Sequence, residues 1–132
     1  MKPVLGAIVA VLVSLGIGWM WGASGKSAID QERRALEQRA DVQFARAEGL
    51  AGRVSLFMNN FGDASTHFEQ ARMALEHLQL TLREVGQAER AGRIEIALSS
   101  LKDAVRLSNQ LDASAQNAAT AALQALAALG IQ

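Results

Sequence analysis

Asn59-Asn60-Phe61-Gly62-Asp63-Ala64-Ser65-Thr66-His67-Phe68-Glu69-Gln70-Ala71 is the stretch whose reading decides the fold. Two asparagines and a glycine are residues that leave a helix, and Asp63 is a residue that caps the next one. From there large and small side chains recur at steps of three, four and three: Phe61, Ala64, Phe68, Ala71. That spacing puts them on one helix face and excludes the two-residue alternation of a strand. The turn therefore joins two helices, the second running to about Val85.

Upstream, Ser27 and Asp30 form a capping-box-like pair, and Ala28 to about Asn59 is free of proline and rich in Glu, Gln, Arg and Ala. This reads as one long helix. Ile29, Leu36, Val42 and Phe44 are sparse enough for a solvated stalk, whereas Leu50, Val54, Leu56, Phe57 and Met58 are expected to pack. Gly49 and Gly52 are expected to bend it. Downstream, Gly86 and Gly92 mark a second soft point, after which Ile94, Leu98, Leu101, Val105 and Leu107 define a third helix. No charge follows Asp112, and nine of the last 20 residues are alanine. Leu123, Leu126 and Leu129 give that C-terminal helix a narrow apolar side, opposed by Asn117, Thr120 and Gln124.

Composition agrees with an all-α chain. Alanine and leucine fill 42 of the 132 positions, and proline occurs once. Beyond residue 23, valine, isoleucine and threonine total only 11 of 109, too few for a sandwich, barrel or parallel sheet. The 13 basic and 13 acidic residues cancel, so nothing tracks a nucleic-acid backbone and no nucleic-acid partner is expected. The absence of cysteine removes disulfides, thiol nucleophiles and thiolate metal sites.

Val4 to Ala23 is a run of 20 residues whose only polar side chain is Ser14, long enough as a helix to cross a bilayer. Trp19 and Trp21 suit the headgroup boundary, and Lys2 and Lys26 bracket the run. Gly6, Ala10, Ser14, Gly18 and Gly22 recur every fourth position and offer a smooth packing face for a second membrane helix, from another copy or another protein. A cleaved signal peptide is the rival reading, with Ala23-Ser24-Gly25 as the cleavage site. The length of the run and the Trp19-Met20-Trp21 cluster oppose it. One lysine precedes the run and Lys26, Arg33, Arg34 and Arg39 follow it, which favours a cytoplasmic body on an inner (cell) membrane anchor; a periplasmic body is the alternative.

Phe61, Ala64, Phe68 and Ala71 are matched 33 positions later by Ile94, Ala97, Leu101 and Ala104. In both copies two knobs and two holes share a helix face. At these positions the chain resembles the second helix of a tetratricopeptide (TPR) repeat. Gly92 to Leu98, continuing through Leu101, Ala104 and Leu107, follows the family pattern, and Asp63-Ala64 with Phe68-Glu69-Gln70-Ala71 is similar to it. Asn59 stands where the family prefers glycine, Ala51-Gly52 only echoes a first helix, Thr81 to Val85 does not, and no proline closes either unit. A plain antiparallel bundle therefore stays open beside TPR-like hairpins. An anchor followed by such hairpins resembles bacterial membrane-anchored TPR adaptors, a likeness of layout that implies a protein-binding scaffold.

Chemistry-bearing constellations are missing. Gly22-Ala23-Ser24-Gly25-Lys26-Ser27 has Met20 where a phosphate-binding loop needs its first glycine, and a membrane run where that loop needs a strand. His67 and His77, ten residues apart on one helix, differ by a rotation of about 280° and are expected to be solvated or capping rather than to share a metal. No nucleophile has a base beside it. The expectation is a non-enzymatic protein without cofactor or metal, organised as anchor (1–26), stalk and first packing helix (27–58), two TPR-like segments (59–111) and C-terminal capping helix (112–132). Phe57, Met58 and Phe61 are the candidate partner patch. The rival is a self-associating structural bundle or coiled coil, and after signal cleavage an exported periplasmic bundle.

Overall fold

The computed structural model describes the backbone of residues 2–129 and the side chains of residues 27–129. Among them every regular element is a helix: α1 (Lys2–Phe57), α2 (Phe61–Glu84), α3 (Ala88–Asn109) and α4 (Ala115–Ala128). The chain divides into two compact units, Met1–Glu37 and Gln38–Gln132, and α1 contributes to both. In the first unit every described side chain, from Ser27 to Glu37, is exposed. Ser27 falls inside α1 and starts no helix: the glycines at 22 and 25 before it are accommodated within the continuous helix. The apolar run 4–23, with Gly6, Ala10, Ser14, Gly18 and Gly22, lies outside the described side chains. Among the described residues no helix is long and apolar enough to cross a membrane.

The second unit is an antiparallel four-helix bundle. α2 packs on α3 and α3 on α4. The end of α1 closes the ring, for along it Asp41, Glu48 and Ser55 meet His77, His67 and Asp63 of α2 in falling order. Its Arg46 and Gly49 meet Leu126 and Leu123 of α4 in the same falling order. α1, α2 and α4 each bury a stripe at alternating steps of three and four, and α3, between two neighbours, buries a broader one: Val42, Ala45, Gly49, Gly52 and Leu56 on α1; Ala64, Phe68, Ala71, Leu75, Leu78 and Leu82 on α2. α3 contributes Ala91, Ile94, Ala97, Leu98, Leu101 and Ala104, and α4 contributes Ala115, Ala119, Ala122 and Leu126. So many alanines and glycines bring the helix axes close and leave the core to a few large side chains, with Phe68 the largest of those fully buried.

Gly49 and Gly52 do not interrupt α1; they admit its neighbours. A Cβ on Gly52 would stand 2.5 Å from a ring carbon of Phe68, and one on Gly49 would stand 3.1 Å from Leu123. The expected bend thus gives way to two sites of close helix approach. The expected packing of α1 is also corrected: Leu56 is buried, but Leu50, Val54, Phe57 and Met58 are exposed. The small stripe faces inward, and a helix whose inner face is already covered by α2 and α4 has no protein left to cover its outer face.

All three turns end their helix in one way. Asn59, Gly86 and Leu111 adopt positive φ (56°, 76° and 57°). After each, the next amide returns to a carbonyl five residues back: Asn60 to Ser55 at 2.8 Å, Gln87 to Leu82 at 2.8 Å and Asp112 to Leu107 at 2.9 Å. The cap of α2 lies three residues before the expected Asp63: the Asn60 side chain accepts from the Asp63 amide at 3.2 Å. Asp63 instead accepts the Ser55 hydroxyl at 2.6 Å and ties the turn to α1. Leu111 is a γ-branched side chain held in the left-handed region, where glycine is free of steric cost. Leu111→Gly is therefore expected to raise stability by about 0.5–1 kcal/mol, net of the entropy glycine adds to the unfolded chain, as read by urea unfolding.

α2, α3 and α4 begin at residues 61, 88 and 115, so the helices themselves recur every 27 residues. The 33-residue sequence period does not coincide with that spacing: Phe61 opens α2, whereas Ile94 lies in the second turn of α3. One period contains one helix and one turn. Seven of the eight repeat positions (Ala64, Phe68, Ala71, Ile94, Ala97, Leu101 and Ala104) are buried, and Phe61 packs partly buried against them.

Candidate functional site

The outer face of α1 within the bundle carries a second stripe, interleaved with the buried one. Gln43, Ala47, Leu50, Val54 and Phe57 follow steps of four, three, four and three, and all are exposed. Leu50 is 55 % exposed, Val54 57 %, Phe57 70 % and the adjoining Met58 74 %; Phe44 flanks the stripe higher up. Steps of three and four average 3.5 residues, the period at which two helices stay in register along a seam. Large apolar side chains concentrated on one face are unusual on an isolated soluble surface, where exposed apolar residues scatter singly.

The two edges of this face differ in charge. On the α4 side Arg39, Arg46 and Arg53 recur every seven residues. Arg46 donates to the Leu126 carbonyl at 2.8 Å, and the Arg53 guanidinium lies 5.9 Å from the centroid of the Phe57 ring, within reach of a cation–π attraction. On the α2 side Asp41, Glu48 and Ser55 also recur every seven residues, and they turn inward to α2. The face thus presents an apolar ridge with a basic edge.

Of the expected patch, Phe57 and Met58 are exposed at the end of α1, while Phe61 is partly buried against the core. Leu50 and Val54 extend it, and they had been expected inside. The signal that distinguishes them is the relative size of the two stripes: Ala45, Gly49 and Gly52 can approach a neighbouring helix and Leu50, Val54 and Phe57 cannot follow them.

His67 and His77 each face a carboxylate of α1, and His77 is exposed to solvent as expected while His67 is half-buried. The Nδ1 of His67 lies 2.7 Å from Glu48 Oε2, with Asp63 3.6 Å from its other nitrogen, and the Nδ1 of His77 lies 2.9 Å from Asp41 Oδ2. A rotation of about 280° is equally about 80° the other way, so both rings flank the side of α2 that faces α1. Among the described residues no group of three or more His, Asp or Glu is gathered as metal ligands would be.

Two carboxyls sit below the ordinary range. Glu69 is held down by its hydrogen bond to the Arg72 guanidinium, and Asp112 by the Ser114 amide that donates to it at 2.8 Å. A carboxyl lowered in the folded state stabilises the fold above its unfolded pKa and loses that contribution as pH falls through the folded value. These two groups are therefore expected to leave unfolding midpoints level from about pH 5 to 8 and to lower them below about pH 4, which urea unfolding across pH would read.

Comparison with known protein families, with curated proteins and with solved structures finds no match for this chain.

Proposed function

We propose that this chain is a membrane-anchored helical scaffold that binds another protein through the outer face of α1. The observation that carries the reading is the exposed ridge of Leu50, Val54, Phe57 and Met58. A partner suited to it is an amphipathic helix with an apolar stripe and acidic residues along one edge, meeting Arg39, Arg46 and Arg53. No bond is made or broken in such a role; the body presents a rigid surface, and the anchor at residues 4–23 raises the local concentration of whatever it holds. The likeness to TPR units is one of packing, in hairpins whose large and small side chains interlock at the same spacing. A body on the cytoplasmic side is the favoured orientation, from the lysine and arginines that follow the run.

Self-association is the second reading, because a 3.5-residue seam also suits a second copy of α1 and the small-residue register of the anchor suits a second span. The double variant Leu50→Asp/Val54→Asp separates surface from core. Its unfolding midpoint is expected to change by less than about 0.5 kcal/mol in stability, as surface substitutions do, while the complex with the partner is lost. A destabilised bundle would return both side chains to the core and remove the proposed face. Anchor and orientation are tested by fusing alkaline phosphatase or a fluorescent protein that matures only in the cytoplasm after Gln132. Membrane-bound fluorescence without phosphatase activity is expected; phosphatase activity overturns the orientation, and the size of that product tells an anchor from a cleaved signal.

A further inference from the structure

The exposed stripe of α1 contains one residue that does not suit an apolar seam. Ala40, Gln43, Ala47, Leu50, Val54 and Phe57 follow one another at alternating steps of three and four, and all are exposed. Gln43 stands one heptad before Leu50 and two before Phe57, so in a helix pair it forms a layer equivalent to theirs. Among the described residues its side-chain amide has no hydrogen-bond partner. On the open surface water satisfies that amide. Once a second helix covers the seam, an amide left unpaired costs about tenfold or more in affinity.

Charge identifies the covering helix as part of a different chain. Arg39, Arg46 and Arg53 border the seam on the α4 side, and Phe44, Ala51 and Met58 border it on the other. A parallel second copy would set these arginines against uncharged side chains, and an antiparallel one would set them against one another. A helix with acidic flanks meets them with opposite charge.

We propose that Gln43 fixes the register of the partner, a helix of another protein with acidic flanks, which places one amide side chain, Asn or Gln, opposite Gln43 and apolar side chains in the other layers. The inference rests on the reading of the outer α1 face as the binding surface. Two facing amides satisfy each other, the N–H of each donating to the carbonyl of the other. In any shifted register both amides face hydrocarbon, so the polar layer selects one alignment at some cost in affinity to the seam as a whole.

The test uses the full chain in phosphatidylcholine nanodiscs and six fluorescent helical peptides of three heptads, with leucine in the seam and glutamate on both flanks. Each peptide carries one glutamine, in a different one of the six successive seam layers. Fluorescence anisotropy is expected to single out one peptide, bound about tenfold or more tighter than the others, and the layer of its glutamine reads the direction of the partner helix. In Gln43→Leu, with helical circular dichroism unchanged, that preference is lost and an all-leucine peptide binds more tightly than any of the six. Equal binding of the six, abolished together by Leu50→Asp/Val54→Asp, overturns the role of Gln43 and leaves the α1 face as the binding surface. A preference that survives Gln43→Leu overturns that role as well. Binding of no peptide, or binding indifferent to Leu50→Asp/Val54→Asp, overturns the surface itself and the inference with it.

Discussion

Phe68→Ala is expected to lower the stability of the bundle by about 3–5 kcal/mol, a large part of the 5–15 kcal/mol that small domains possess. The ring is fully buried and fills the space left by Gly52 on the facing helix. Its removal costs both the transfer of an aromatic side chain and the cavity that remains, because the position facing the ring on α1 is Gly52, which has no side chain to move into the gap. Urea unfolding followed by circular dichroism at 222 nm, on the full chain in detergent, reads the effect. A loss under about 1 kcal/mol would mean that α1 does not pack against α2 in this register.

Gly52→Leu is the complementary change, filling rather than emptying the same contact. Even a Cβ at this position would lie 2.5–2.8 Å from three carbons of the Phe68 ring, closer than nonbonded carbons approach. The ring cannot swing outward, since it is enclosed on all sides. Overpacking of this kind costs about 1–3 kcal/mol for modest insertions, and a leucine, adding four carbons, is expected to exceed that and to part α1 from α2. Gly52→Ala is the milder case, its clash offset by about 1 kcal/mol of gained helix propensity. Combining Gly52→Ala with Phe68→Leu should be less harmful than the two single effects added together, the signature of side chains that share one space. Strict additivity would contradict the contact.

The helices were legible because their determinants are local. The asparagines and glycine at residues 59–62, the glycine at 86 and the freedom from proline beyond residue 3 mark where helices stop and continue. The repeat positions were legible as inward-facing for the same reason, as large and small side chains at steps of three and four can share only one face. What local pattern does not carry is which of two interleaved apolar stripes on α1 is covered. Val42, Ala45, Gly49, Gly52 and Leu56 look poorer in apolar surface than Leu50, Val54, Phe57 and Met58, yet the first set is buried. That outcome depends on Phe68 and Leu123 arriving from distant parts of the chain to occupy the glycine positions. The carboxylate partners of the histidines were not legible for a related reason: Asp41 and Glu48 come beside them only once α1 and α2 are antiparallel. The 33-residue period, finally, matched residue types without matching helix starts, since a knob-and-hole face can be built at any height along a bundle.

Binding at the outer face of α1 is tested most directly by placing a photoreactive phenylalanine analogue, one position at a time, at Leu50, Val54 and Phe57, and at Met73, Leu80 and Ile96. The second set is equally apolar and exposed but lies on α2 and α3. After illumination in cells, adducts of one defined mass are expected from the three α1 positions and not from the others; the mass tells a different protein from a second copy of this chain. Adducts from all six positions alike, or from none on α1, would contradict the account.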